Sequence, residues 1–396
     1  MPKGITDGRR RGFRSGRRER RMGAMLAQVR GMAMRVFERT GADWRRRKFF
    51  AWGHFCFLLA MHCLGRRSLR GMYGWWERGG QLEQRAGLGE KVSFSQVARS
   101  HTSRDSGCWE ELFYQLVSLA QERRGSRGMG QVWALDSSFF RLSPVLSPWL
   151  PLRGEGESKG LKLHLLVSVG EQVPMGWELQ PGWSHDLNGL RALLEQLPAQ
   201  PGTILLFDRG YRCYPLWDAL GDRGVFFITR LTTAQAHVTH LQSLPLSPEH
   251  PDILRDDLIR LGRRESRNHT RYPLRWITLR TPQGNLDFVT NHLSLPASDI
   301  AQLYRFRWQV EIFFRYLKHD LNALHWLGHS PNAIRTTLLI ALIMRLLAFL
   351  LFLQTGLPSA TPLLQQRLFS SLYLEQKLLT PLCRSPACPL ARKGGG

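Results

Sequence analysis

The chain has 396 residues and a formal net charge of +24, with 55 Lys and Arg against 31 Asp and Glu. Its 43% apolar content is enough for a sizeable core, which excludes a wholly disordered polymer, and its basicity sets it apart from ordinary enzymes of small metabolites. Such a charge implies a polyanionic partner, nucleic acid first.

Residues 1–47 open with MPKGITDGRRRGFRSGRRERRMGAM, which is Arg- and Gly-rich without hydrophobic periodicity and predicts a disordered, solvated arm. No apolar leader opens the chain and the six cysteines are scattered, so a reducing cytoplasm is the expected compartment. Cys383 and Cys388 lack a second pair at zinc-site spacing, and no structural metal is expected there. Residues 48–125, beginning KFFAWGHFCFLLAMHC, carry apolar residues at helical spacing and a basic knuckle of Arg66, Arg67 and Arg70. They are expected to form a helical, DNA-binding N-terminal domain. Within it VSFSQVARSHTSRDSG reads either as a polar loop between helices or as a DNA-reading module.

From Gln131 the pattern changes to short strand-like runs: QVWALDSSFFRL, LKLHLLVSV, VPMGWELQPG, TILLFDRG and GVFFITRL. Helical DLNGLRALLEQL and CYPLWDALGD fall among the later ones. Three strands joined by short turns, then strand, helix, strand, helix and strand, predict an α/β fold with a mixed sheet flanked by helices over residues 130–356. Residues 231–296 turn polar and basic and read as a β-rich insertion, with Pro282-Gln283-Gly284-Asn285 as a hairpin turn. A helix follows, with Ser298 as its cap, Asp299 in its first turn and Gly328 at its end. Ser330-Pro331 opens the next helix. That helix includes the apolar run Thr336 to Leu353, which Arg345 interrupts and which is short of a membrane span, so it reads as a buried core helix and no membrane partner is expected. Residues 357–396 form a C-terminal tail.

Two acids each end an apolar strand: Asp136 in VWALDSS and Asp208 in ILLFDRGY. A strand-end Asp in an open α/β sheet points into the ligand crevice, although a single one more often closes a turn. The third acid, Glu311, lies in YRFRWQVEIFFRYLKHD among aromatic and basic residues. At 100° per residue Tyr304, Arg307, Glu311 and Lys318 fall within an arc of about 60°, with Arg315 at its edge. Alone, Glu311 reads as one member of a surface ion pair. Three carboxylates at one point can instead hold two divalent cations about 4 Å apart for work on a phosphodiester. Mg²⁺ is the natural ion, with Mn²⁺ as a substitute, and the neighbouring bases would bind flanking phosphates.

Tyr304, Arg307, Glu311 and Lys318 fit Y-x2-R-x3-E-x6-K without a gap, and in this the chain resembles bacterial DDE transposases of the insertion-sequence-four type. ALDSS around Asp136 and LLFDRGY around Asp208 are similar to that family's two catalytic Asp motifs, and the likeness extends over roughly Gln131 to Gly356. The resemblance implies an RNase H-like catalytic domain with a β insertion. It implies Asp136, Asp208 and Glu311 as catalytic metal ligands, and Mg²⁺-dependent cutting at the transposon's terminal inverted repeats followed by joining of the freed 3′-OH to target DNA. It also implies a homodimer on DNA in a bacterial cytoplasm, at the nucleoid. Lys162, His164 and Arg209 join Tyr304, Arg307, Arg315 and Lys318 as candidate DNA contacts. Relatives excise through a hairpin and use a Trp of the insertion. Trp276 is not aligned to that role, which leaves the hairpin open. Two alternatives stay open as well: a metal-dependent nuclease without strand transfer, and an inactive, transposase-derived DNA-binding protein.

Overall fold

The computed structural model describes residues 24–355 apart from 26, 80–91, 125–130, 146, 151–158, 197–199, 233–235, 264, 267 and 322–323, and beyond 355 only 365 and 367. Most of the expected tail 357–396 and the arm up to residue 23 thus lie outside the described residues. Contacts divide the chain into two compact units, Arg127–Arg315 and Met1–Ser126 with Tyr316–Gly396. In chain order the helices are α1 (27–39), α2 (Ala51–Cys63), α3 (Leu69–Gly79), α4 (Phe94–Ser103), α5 (Gly107–Arg124), α6 (Asp186–Gln196), α7 (Tyr214–Asp222), α8 (Ala297–Tyr304), α9 (Gln309–His319) and α10 (Pro331–Thr355). The strands are β1 (Val132–Arg141), β2 (Gly160–Ser168), β3 (Val173–Pro181), β4 (Ile204–Phe207), β5 (Phe226–Arg230), β6 (Val238–Ser243), β7 (Ile253–Leu261), β8 (Leu274–Thr281) and β9 (Gly284–Thr290).

In the helical unit, α1 buries Val29, Ala33, Val36 and Phe37, three or four residues apart, so the expected arm is helical there. Apolar spacing resumes as soon as the Arg- and Gly-rich run ends. α2 is buried on every side from Ala51 to Met61, and α10 packs against α2, α4 and α5. α10 starts as expected, with the Ser330 hydroxyl accepting from the Ala333 N–H at 3.2 Å and Pro331 at the first helical position. It is the core helix that its composition predicts: 89% of its apolar window is buried. Arg345 is buried within it and donates to Gln365 at 2.9 Å. α10, which falls within the residues 130–356 expected as the catalytic domain, clusters by contacts with these helices.

VSFSQVARSHTSRDSG is not a polar loop. It forms α4, started by a reciprocal capping box between Ser93 and Gln96. Arg104 at its end is buried and donates to the carbonyls of Ala42 at 3.2 Å and Phe49 at 2.7 Å, to His54 Nδ1 at 2.8 Å and to Asp43 at 3.2 Å. A buried guanidinium held by four partners fastens the helical core.

The other unit is built on one nine-stranded sheet in the order β3-β2-β1-β4-β5-β9-β8-β7-β6. β1, β2 and β3 pair antiparallel, while β4 and β5 run parallel to β1. That is the RNase H-like arrangement. ILLF of β4 is buried throughout, as a central parallel strand covered on both faces must be. α6 packs on β2 and β3, and α7 on β5. The short turn expected between the first two strands is absent, since residues 142–159 lie between β1 and β2. Only β2 and β3 are joined tightly, through Gly170 at φ 92 and Gln172 at φ 50. The insertion β6–β9 joins β5 through antiparallel β9 and therefore extends the same sheet. Its hairpin turns at Pro282-Gln283, with Thr281 opposite Gly284 at φ 115, a backbone that only glycine adopts without strain.

The Glu-bearing segment differs from one continuous helix. α8 starts after Pro296 with no side-chain cap, so Ser298 lies inside it, and Asp299 occupies the first turn as expected. A 3-10 turn, Arg305–Trp308, separates α8 from α9, which stops at His319. Gly328 lies in the link ahead of α10 and not at the end of α9, and an added Cβ there would meet that of Ala333 in the first turn of α10 at 2.8 Å.

Candidate active site

β1 and β4 run in register from Val132 opposite Ile204 to Leu135 opposite Phe207, so the next position on each strand is an acid, Asp136 and Asp208. Neighbouring strands lie about 4.8 Å apart, which sets the two residues side by side where the parallel pairing ends. Asp208 follows the carboxyl end of β4 as expected, whereas Asp136 lies mid-strand, because β1 runs on to Arg141 in its antiparallel pairing with β2. Asp208 leaves the sheet in extended backbone (φ −79, ψ 163) ahead of the turn Arg209–Tyr211, and its carboxylate makes no capping hydrogen bond. It is therefore not spent on closing the turn.

Glu311 comes from the first turn of α9, and Arg307 ties it to the strand. The Arg307 guanidinium donates to Glu311 Oε1 at 2.7 Å and reaches Asp136 Oδ2 at 3.4 Å. Asp136 also accepts the Ser137 N–H at 2.7 Å. Burial pushes the Asp136 carboxyl up to about 6; the Ser137 N–H and Arg307 pull it down, and the negative Glu311 and Asp208 push it further up. Asp136 thus feels both of the other acids.

The 3-10 turn changes the expected helix face. At three residues per turn Tyr304 and Arg307 eclipse each other, and the uniform 100° spacing no longer applies across Arg305–Trp308. The Tyr304 ring packs 5.1 Å from Phe288, and burial, with Asp208 nearby and Arg307 opposing, pushes its phenol up to about 12. Arg315 and Arg209 are exposed. Lys318, lowered by burial, lies on α9 beyond Arg315, in the part of the chain that clusters with the helical unit.

Two expected DNA contacts have other partners. His164 is fully buried on β2 opposite Ser137, its Nδ1 3.3 Å from the Tyr211 hydroxyl. A Cβ at Gly189 of α6 would lie 2.5 Å from its ring atoms, so glycine there is what lets helix and ring approach. Burial lowers the imidazole to about 4, and the neutral ring is a packing residue with no surface to offer DNA. Lys162 donates to the Ser184 carbonyl at 2.9 Å and pairs with Asp186 at 3.1 Å. Asp186 in turn accepts from the Ser137 hydroxyl at 3.0 Å. Ser137, Asp186 and Tyr211 form the support behind Asp136 that sequence reading missed. The only signal for it was the Ser-His-Asp at the start of SHDLNGLRALLEQL, since nothing local shows that α6 folds back over β2 and β3.

The donor set suits a hard divalent cation, being carboxylate oxygens that crowd one another. Among the described residues, however, no three His, Cys, Asp or Glu side chains converge closely enough to hold a metal ion as they stand. The Arg307 fork fills the space between Asp136 and Glu311 instead.

Residues 127–347, more than half of the chain, match the family described as Transposase DDE domain. The chain belongs to that family. Among its relatives are the transposase named for insertion sequence element IS5377 of Geobacillus stearothermophilus, 27% identical over 76% of this chain and 76% of that protein, and a Sinorhizobium fredii protein named as a transposase, 25% identical over 67% and 73%. A Synechocystis protein named as the transposase for element IS4SA is 21% identical over 62% and 68%. A solved piggyBac transposase synaptic complex with hairpin DNA aligns at a TM-score of 0.45 and 10% identity, covering 93% of this chain and 83% of that one. The protein is thus an insertion-sequence transposase, a DNA-acting enzyme of a class that works with divalent metal. Within the transposase, the family match spans β1, β4 and α9, the elements that carry the three acids.

Proposed function

We propose that Asp136, Asp208 and Glu311 are the catalytic carboxylates of this transposase, that they bind Mg²⁺, and that the site cuts the element's terminal inverted repeats and joins the freed 3′-OH to target DNA. The observation that carries this is the pair of acids set side by side where the parallel pairing of β1 and β4 ends, linked through Arg307 to an acid that a distant helix delivers. Bound there, Mg²⁺, or Mn²⁺ in its place, would activate the attacking oxygen and stabilise the leaving oxygen of the phosphodiester. The protein's own part is positioning. Ser137, Asp186 and Tyr211 hold the β1 end in place, and burial keeps water from solvating Asp136 fully. Arg307 offers a fork to the phosphate next to the scissile bond, Tyr304 lines the same crevice, and exposed Arg209 and Arg315 offer charge to the flanking backbone. The exposed Arg66, Arg67 and Arg70 of the helical unit support it as a further DNA-binding domain. Two protomers hold the two ends, so a homodimer forms on DNA, at the nucleoid.

The test is incubation with Mg²⁺ and DNA that spans the element's ends. Nicks are expected at the boundary, and each of Asp136→Ala, Asp208→Ala and Glu311→Ala should abolish them; cutting that survived all three would remove these acids from the chemistry. A pre-cut 3′-OH end supplied with a plasmid target distinguishes a joining enzyme from a simple nuclease. Sedimentation with and without end DNA checks the dimer, expected only with DNA.

A further inference from the structure

The three acids do not yet make a metal site, and the residue in the way is a cation. Arg307 stretches between Asp136 on β1 and Glu311 on α9, with one nitrogen on each carboxylate. We propose that Arg307 is a placeholder: in the DNA-free protein its guanidinium occupies the cation position between Asp136 and Glu311, and a DNA phosphate draws it away and opens the acids to metal. This rests on the reading of Asp136, Asp208 and Glu311 as metal ligands.

Three observations support the exchange. The arrangement as it stands gathers no three metal-binding side chains among the described residues, although β1 and β4 bring two of the acids onto adjacent strands. The guanidinium grips weakly on one side and loosely on the other: its partner Glu311 is 54% exposed, and its contact with Asp136 is long at 3.4 Å. With Glu311 half in water its attraction for the guanidinium is screened by solvent, which lowers the cost of leaving it. Finally, the guanidinium fork matches a phosphate as well as it matches a carboxylate, so the same side chain has a second partner of higher charge once DNA enters. Metal and Arg307 exclude each other at the acids, and DNA competes for Arg307. By linkage DNA and metal then strengthen each other's binding, and the free transposase is kept from loading metal before its substrate is in place.

The experiment measures Mn²⁺ binding to the full-length, DNA-free protein by electron paramagnetic resonance of free Mn²⁺. It compares wild type, Arg307→Gln, Arg307→Ala, and each substitution combined with Glu311→Gln, with thermal melting to confirm folding. Gln is shorter than Arg but keeps an uncharged, hydrogen-bonding side chain, which guards against a packing effect of Ala. Either substitution is expected to tighten Mn²⁺ binding at least about tenfold, and Glu311→Gln to cancel the gain. If wild type already binds as tightly as the Arg307 variants, in a Glu311-dependent way, the placeholder is overturned while the metal ligands stand. If binding in every variant ignores Glu311, the placeholder falls together with the metal site beneath it.

Discussion

The sheet unit contains two Arg-carboxylate pairings that teach opposite lessons. In the insertion, Arg275 on β8 grips both oxygens of Asp256 on β7, with both side chains under 8% exposed, and it also donates to the carbonyls of His292, Leu293 and Leu295. Every donor direction has a use, and the pair fastens the chain leading into α8 to the insertion strands. At the crevice, Arg307 divides itself between two acids, one of them half in water. A buried charge pair with all its partners is a fixture; a divided and partly solvated one is free to change partners.

The comparison is broken most forcefully through chemistry. Glu311→Gln should lower end cutting by about 10³-fold or more, equivalent to about 4 kcal/mol of barrier, while the urea midpoint stays close to wild type. The reverse is expected at the fixture. Arg275→Ala strands a buried Asp256 and should destabilise the fold by about 3–5 kcal/mol, whereas Arg307→Ala should cost about 1 kcal/mol or less, as urea unfolding would show. Similar losses for both would erase the distinction.

Next in size is the charge state of Asp136. Its folded carboxyl is raised to about 6 from an ordinary value of 3.8, so between these the folded state holds more proton than the unfolded state, and stability falls as pH rises through the window. In EDTA, Asp136→Asn should therefore be more stable than wild type above about pH 6, by about 2–3 kcal/mol, with the gap closing below about pH 4. Melting curves across that range check the sign. The smallest effect is at Arg209. Arg209→Ala should weaken DNA binding alike across sequences and reduce the slope of log affinity against log salt by about 1, as a salt titration of duplex binding would reveal.

Much of the site was legible because its signals are local. ILLFDRGY places an acid where a buried strand meets a turn, VWALDSS places one where buried residues give way to polar ones although β1 continues, and the Tyr-Arg-Glu-Lys spacing marks the third. Less legible was how the residues around them are used. His164 and Lys162 look like free bases in LKLHLLVSV, yet one is enclosed by Gly189 and Tyr211 and the other is paired with Asp186. Arg104 looks exposed in a polar string and is a buried fastener. Whether a polar side chain meets water or a partner depends on segments distant in the chain, and periodicity carries no record of them.

By itself the sequence determined the chemical types at hand: which runs form strands, where the three acids stand along them and in the later helix, and a basic charge that calls for a polyanion. Those follow from side-chain size, polarity and spacing along a few neighbouring residues. Only the tertiary structure decided that β1 and β4 lie in register, that a 3-10 turn re-aims Arg307, and that the insertion continues the same sheet. It alone shows a guanidinium standing between two of the acids. Such pairings join residues as far apart as Asp136 and Arg307, and they are settled by which surfaces the whole chain can bury at once.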